Sequence, residues 1–172
     1  MDIFDEIKQA FKDSINDHIN SDDINEAKKY LSYAMRSWEH PDSNEEVTLG
    51  YLDMALEKKY APAFVFAGDI TKSIFDSKWS EWLENTHGGL WAAVLNEKIS
   101  PFLFASLRFY ILAIHYGVSA SELNSRIRSI KIFFLPNHSA EWDQVVVNNT
   151  DIVDYLLVHK QASSFWSIVL DN

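Results

Sequence analysis

Apolar positions recur every three or four residues along most of the chain, which is the spacing of one helix face. One stripe of such apolar positions runs over residues 24–38 and stops before Pro41. Ser21 and the two aspartates after it are typical of a helix start, because a hydroxyl cap and first-turn acids both stabilise the free N–H groups there. An earlier stripe predicts an amphipathic helix in the first twenty residues, and its apolar positions are Ile3, Phe4, Ile7, Phe11, Ile15 and Ile19.

Capping residues and prolines predict where further helices begin. Ser43 and Glu46 have the spacing of a capping box, in which a hydroxyl and a carboxylate each bind a free backbone N–H. They predict a third helix that runs to about Lys59. Pro62 and Pro101 fit the first turn of a helix, where the N–H that proline lacks would have no partner. Two further helices are therefore expected to start at these prolines.

Stop signals divide the middle of the chain. Three apolar residues predict a short helix before a His-Gly-Gly stop at residues 87–89, and they are Trp79, Trp82 and Leu83. Residues 90–99 predict another helix. Residues 101–116 form the longest apolar run, which we interpret as a central core helix ended by Gly117.

The last third of the chain has a weaker pattern. Ser119 and Glu122 form a second capping box and predict a helix over residues 120–134, before Pro136. Residues 144–147 fit a strand and a helix end equally, and Thr150 fits the cap of a last helix over residues 151–170. The predicted fold class is all-α, with antiparallel helical hairpins stacked in one compact domain over residues 1–172.

Two similar segments, residues 30–35 and residues 51–56, indicate a repeated helical unit. Around the second segment, residues 50–69 resemble a Sel-one-like repeat, a branch of the tetratricopeptide-like family, at Ala55, Tyr60, Ala61, Ala63 and Gly68. The small side chains would let two helices approach closely. The resemblance covers about one repeat, and residues 90–117 form a degenerate second copy. It implies a repeat-like part over about residues 22–117, a C-terminal part over residues 118–172, and an adaptor role.

Composition and charge narrow the classes of function. The 172 residues are 47% hydrophobic, which is enough for a core, and the absence of cysteine excludes disulfides, thiolate zinc sites, iron–sulfur clusters and cysteine nucleophiles. With 25 acidic and 15 basic residues, the formal net charge is -10. A negative field repels phosphate backbones and anionic membranes and attracts basic surfaces. We therefore expect a basic protein partner, and neither nucleic acid nor a membrane.

The expected compartment is the cytoplasm. The N-terminal residues mix acids with apolar residues and lack the basic and uninterrupted apolar regions of a secretory signal. The apolar run at residues 101–116 is too short to cross a bilayer and contains Arg108.

The sequence contains no catalytic or phosphate-binding motif, and we expect neither an enzyme nor a cofactor. Glu84 and His87 have the Glu-x-x-His spacing of di-iron helices, but the further ligands of such sites are missing, so no metal site is predicted. His115 fits a core histidine better than a general base. His138 is close to Glu141 in sequence, but nothing local orients the two as a hydrolytic pair.

Charged side chains form two candidate surfaces. The basic cluster fits a solvated helix face or a partner for the N-terminal acids, and it contains Lys98, Arg126, Arg128 and Lys131. The acidic cluster lies on the predicted third helix and just before it, and it contains Asp42, Glu45, Glu46, Asp53 and Glu57. These acids fit either a solvated face or a negative patch that steers a basic partner. Trp38 and Tyr51 are the aromatic contacts expected beside them.

These features are similar, at the level of a class, to bacterial immunity proteins that neutralise toxins. The similarity lies in small size, negative charge and the lack of catalytic motifs. It implies that the acidic face covers the active site of a cognate basic toxin. Two alternatives stay open: a Sel-one-like adaptor that binds peptides, and an enzyme of an unrecognised family. The sequence leaves open the partner, the oligomeric state and which of the six tryptophans are exposed.

Overall fold

Helices account for all regular secondary structure in the described part of the chain, which confirms the all-α prediction. The computed structural model describes residue 4 and residues 21–42, 44–85 and 89–170. Its α-helices are α1 (Ser21–Glu39), α2 (Glu45–Glu57), α3 (Ala61–Asn85), α4 (Leu90–Leu95), α5 (Ser100–His115), α6 (Asn124–Lys131), α7 (Ser139–Val158) and α8 (Phe165–Leu170). Two short 3₁₀ helices, Ala120–Leu123 and Ile132–Phe134, flank α6. The helix predicted for the first twenty residues lies outside the described residues, apart from the buried Phe4.

Helix starts follow the predicted capping chemistry, with one change of residue. Asn44, and not Ser43, caps α2, because its Oδ1 accepts the N–H of Glu46 at 2.9 Å. An amide oxygen serves here as well as a hydroxyl, and Ser43 itself lies outside the described residues. Ser119 accepts the N–H of Glu122 at 3.3 Å, as predicted. The segment after Ser119 is not one helix, however, because α6 lies between two 3₁₀ turns.

The helix predicted after Pro62 and the short one predicted at residues 79–83 are in fact one helix, α3. No glycine or proline interrupts residues 69–85, so the helix continues through the polar stretch between the two apolar groups. The next helix is shorter than predicted: α4 ends at Leu95. Asn96 ends it, since its Oδ1 accepts the N–H of Lys98 at 2.9 Å and favours a turn.

The uncertain segment at residues 144–147 is helical and lies within α7. Thr150 does not cap a helix; its Oγ1 donates to the carbonyl of Val146 at 2.7 Å inside α7. The predicted last helix is therefore wrong in its start and its continuity. α7 ends at Val158, and a left-handed residue at Lys160 separates it from α8.

α5 forms the centre of the core, because all but four of its sixteen residues are buried. Its most extensive neighbour is α3, while α1 packs mainly on α2. Gly68 of α3 lies directly against the ring of Tyr110 on α5, and Ser106 donates a hydrogen bond to the Gly68 carbonyl at 2.8 Å. The glycine in the repeat-like segment thus serves the α3–α5 contact, where a larger residue would hold the helices apart.

A cluster of polar side chains also stabilises the contact between α3 and α5. The Oδ1 of Asp69 accepts hydrogen bonds from the Tyr110 hydroxyl at 2.7 Å and from the Arg126 Nε at 2.8 Å. Burial and the neighbouring Asp69 carboxylate raise the pKa of Tyr110, so this hydroxyl stays protonated and donates. The cluster joins α3, α5 and α6.

Gly68→Ala is expected to lower the free energy of unfolding by about 1–3 kcal/mol, because a Cβ at position 68 would lie 2.8 Å from the Cδ1 of Tyr110. Tyr110 cannot easily move away, since it is buried and its hydroxyl is bound to Asp69. Gly50→Ala is the matched control: a Cβ there meets nothing within 4 Å. The control should gain up to about 1 kcal/mol. Urea denaturation measures both, and a stabilised Gly68→Ala variant would contradict this packing.

Candidate protein-binding face

Three of the four acidic residues of α2 share one side of the helix. Glu46, Asp53 and Glu57 follow one another at spacings of seven and four residues, which keeps them on one face. Glu45 and Glu46 occupy the first turn, where the positive end of the helix dipole stabilises negative charge. α2 contains no lysine or arginine, and Glu45, Glu46 and Glu57 are exposed. α2 therefore exposes carboxylates without any basic residue of the same helix.

A groove lies along this surface, between α2 and α8. It has a volume of about 500 Å³ and is lined by Glu45, Glu46, Leu49, Gly50, Asp53 and Trp166, and we call it the α2 groove. Trp166 is 42% exposed and packs edge-on against the buried Phe165, with ring centroids 5.3 Å apart. Gly50 borders open space, since a Cβ added there would meet no other atom within 4 Å. The groove thus combines carboxylates with an exposed indole.

Asp53 has a different role from the glutamates. Its Oδ1 accepts the backbone N–H of Phe165 at 2.7 Å and so caps the start of α8. Burial raises the pKa of Asp53 above its ordinary value, the Phe165 N–H acts in the opposite direction, and the Glu57 carboxylate raises the pKa further. Because Trp166 directly follows Phe165, Asp53 holds the tryptophan beside the glutamates. We regard Asp53 as a positioning residue.

The structure separates the other predicted contact residues from the groove. Trp38 and Tyr51 are half-buried and pack against the core, and the Tyr51 ring lies 5.2 Å from that of Tyr33. Neither is among the described residues that line the α2 groove. Asp42 is exposed before α2, where its N–H donates to the His40 Nδ1 at 3.1 Å. Glu57 lines a second pocket at the end of α2.

Trp166 was missed as a site residue, although the sequence contains a signal for it. In α8 the buried positions are Phe165, Ile168 and Val169, which form one helix face. Trp166 and Leu170 fall on the opposite face at a spacing of four residues, and they are 42% and 69% exposed. The apolar periodicity of this short helix would have placed the tryptophan outside.

One member of the predicted basic cluster has its partner inside the fold. Arg126 pairs with Asp69, which raises the pKa of the guanidinium, so its partner is in α3 and not among the N-terminal acids. Lys98 and Arg128 are exposed, and Lys131 is half-buried. The N-terminal acids instead engage a different base. Lys58 lies 3.1 Å from both Asp23 and Glu26, and these carboxylates raise its pKa.

The histidines in the described part of the chain have structural contacts. His138 stacks on Trp91 with ring centroids 3.7 Å apart, and its Nδ1 is 3.5 Å from the Glu141 Oε1. His115 is half-buried beside Tyr116. His87 and the side chain of Glu84 lie outside the described residues. Within the described ranges, no group of three or more histidine, aspartate or glutamate side chains is arranged to hold a metal ion.

The helices that the structure describes include none with the length and apolar character needed to cross a membrane. In comparisons with protein-family models, with curated proteins and with solved structures, no match to this chain was found. The Sel-one-like and immunity-protein resemblances therefore stay predictions.

Asp53→Asn is expected to equal or exceed the wild-type stability at pH 7. The pKa of Asp53 is higher in the folded chain than in the unfolded chain, so protonation of Asp53 favours folding. Its contribution to the free energy of unfolding is complete below the unfolded pKa near 3.8 and is lost as the pH rises through the folded pKa. Asparagine keeps an acceptor oxygen for Phe165 and carries no charge.

Asp53→Ala, the matched control, removes the cap and should cost about 1 kcal/mol. Urea denaturation across this pH range measures both variants. The difference in the free energy of unfolding between Asp53→Asn and the wild type should disappear as the pH approaches 4. Equal losses in the two variants at pH 7 would contradict the capping role.

Proposed function

We propose that this chain is a protein-binding inhibitor that covers a basic site on its partner with the exposed side of α2, as an immunity protein covers a toxin. The α2 groove carries this proposal, because an exposed tryptophan lines it together with carboxylates from a helix without basic residues. The three acids of the groove and the indole are on elements packed against the core, so little order has to be gained on binding.

The groove suits an arginine or lysine side chain of the partner. A guanidinium group binds carboxylates through paired hydrogen bonds and also stacks on an indole face. Glu45, Glu46 and Trp166 offer both kinds of contact in one groove. Their negative field would also speed the encounter with a basic surface. The proposed partner therefore presents a basic residue at the centre of its contact with this protein.

Apolar side chains beside the acids support a stable complex. Val47 and Met54, both on α2, are 46% and 41% exposed. Protein interfaces combine such apolar contacts with a polar rim and need about 800 Å² from each partner. The exposed side of α2, together with α8, offers both apolar contacts and polar groups. A basic active site covered by this surface could not admit its substrate, which is how the protein would inhibit its partner.

A second groove favours the alternative role as a Sel-one-like adaptor. It has a volume of about 410 Å³ between α1, α3 and the segment before α6. Met35, Val65 and Phe66 line it, and the Asp69–Arg126 pair contributes charged groups. An apolar groove of this form suits one or two side chains of a linear peptide.

The test uses affinity capture from native lysate with two variants of equal charge. The first neutralises the proposed face with Glu45→Gln, Glu46→Gln and Glu57→Gln. The second neutralises three exposed acids of α7 with Asp143→Asn, Asp151→Asn and Asp154→Asn. We expect the wild type and the α7 variant to retain one basic protein, and the α2 variant to lose it. With that protein purified, the α2 variant should associate about tenfold or more slowly at low salt. Equal retention by all three would contradict the proposal and favour the second groove.

Trp166→Ala is expected to raise the dissociation rate of the captured complex by a factor that corresponds to about 2 kcal/mol or more, because exposed tryptophans at the centre of an interface act as anchors. Tyr155→Ala is the control, since Tyr155 is also an exposed aromatic residue, on α7. Surface plasmon resonance measures both. A dissociation rate that is unchanged by Trp166→Ala would remove the α2 groove from the interface.

A further inference from the structure

Nothing in the described part of the fold requires a glycine at position 50. Gly50 lies in the interior of α2, where glycine is the least favourable residue after proline. Gly68, by contrast, lies against the Tyr110 ring, and Gly117 has a φ angle of 120°, which residues with a side chain rarely adopt. Gly50 has a helical backbone, and a Cβ there would meet no other atom within 4 Å. The fold would therefore accept a side chain at this position.

The missing side chain leaves space in the α2 groove. Gly50 follows Glu46 by four residues and precedes Asp53 by three, which places these positions on one side of the helix. All three residues line the groove, and so does the exposed Trp166. A side chain at position 50 would occupy part of the space that these residues border. Gly50 thus adds room for a ligand in a groove that also presents an aromatic ring.

The charges in the groove favour a cationic ligand. The described residues that line it include three carboxylates and no basic side chain. The positive ends of α2 and α8 offset about half a charge each, which leaves the groove negative. Asp53 is engaged by the Phe165 N–H, but the side chains of Glu45 and Glu46 have no hydrogen bond or ion pair with the described part of the chain. Two carboxylates are therefore available to a ligand.

We propose that the α2 groove takes one arginine side chain of the partner, and that Gly50 determines this specificity. The inference rests on the proposed binding of a basic partner by α2. A guanidinium group is planar, so it lies flat over the backbone at position 50, binds Glu46 through its N–H groups and stacks on the Trp166 ring. An ammonium group is compact and strongly hydrated, so it gains less from a flat space and an indole. The groove therefore distinguishes arginine from lysine.

The probes are the N-acetyl amides of arginine and of lysine, each titrated into the full chain at an ionic strength held constant with chloride. NMR spectroscopy follows the indole N–H signal of Trp166, which is assigned by its loss in Trp166→Phe. The test variant is Gly50→Leu, which fills the space over α2. Ser77→Leu is the control, because it adds the same side chain at an exposed position of α3 that does not line the groove.

The wild type and the control should bind the arginine probe saturably, with a Kd on the order of millimolar, and the lysine probe about threefold or more weakly. Gly50→Leu should bind the arginine probe about tenfold or more weakly, because leucine occupies the space of the guanidinium. The variant should melt at or above the wild-type temperature, since leucine is the better helix former, and this excludes unfolding as the cause.

Three results would overturn the proposal: equal binding of the arginine probe by all three proteins, equal binding of the two probes by the wild type, or no saturable binding of arginine by the wild type. Affinity capture separates this proposal from the proposed function. Loss of the captured protein from both Gly50→Leu and the α2 variant supports the two together. If the α2 variant loses it and Gly50→Leu retains it, the acidic side binds the partner without an arginine in the groove, and only the arginine proposal is wrong.

Discussion

The guanidinium of Arg108 is buried at the centre of the core, and the positions of α7 and α8 depend on it. Its Nη1 donates to the Asn149 Oδ1 of α7 at 2.7 Å, and its Nε donates to the Ile168 carbonyl of α8 at 3.1 Å. A charge in this environment is tolerated only where hydrogen bonds compensate for lost hydration. The last carbonyls of a helix have no partner within the helix and carry partial negative charge. Arg108 and the end of α8 therefore satisfy each other.

The same short helix is held at its other end by Asp53. A six-residue helix has little stability by itself, so its location has to come from tertiary contacts. Asp53 binds the first N–H of α8, Arg108 binds carbonyls near its end, and the side chain of Phe165 is buried. The two polar contacts orient the helix so that Trp166 faces outward beside α2. The candidate site therefore depends on contacts made inside the core.

Local sequence patterns predicted those parts of the fold that local chemistry decides. Pro101 and Gly117 bound α5 as expected, and Ser119 caps the turn after it. The continuity of α3 was missed, because a polar stretch resembles a gap between helices when no neighbour is known. Arg108 was noted in the sequence only as a residue unsuited to a membrane span. Its partners lie 41 and 60 residues away, and no periodicity within α5 indicates them.

The candidate site was likewise predicted only in those features that local sequence decides. The sequence indicated that these acids lie on one helix and just before it, and the structure places Glu45, Glu46, Asp53 and Glu57 on α2. Charge alone did not show that the members of this cluster differ in role. Asp53 supports α8, and Glu45 and Glu46 are exposed at the groove. Similarly, Asp23 and Glu26 contribute to the net charge of -10, but Lys58 engages both. A count of acidic residues therefore overstates the surface available to a basic partner, and the contacts of each carboxylate decide which acids face that partner.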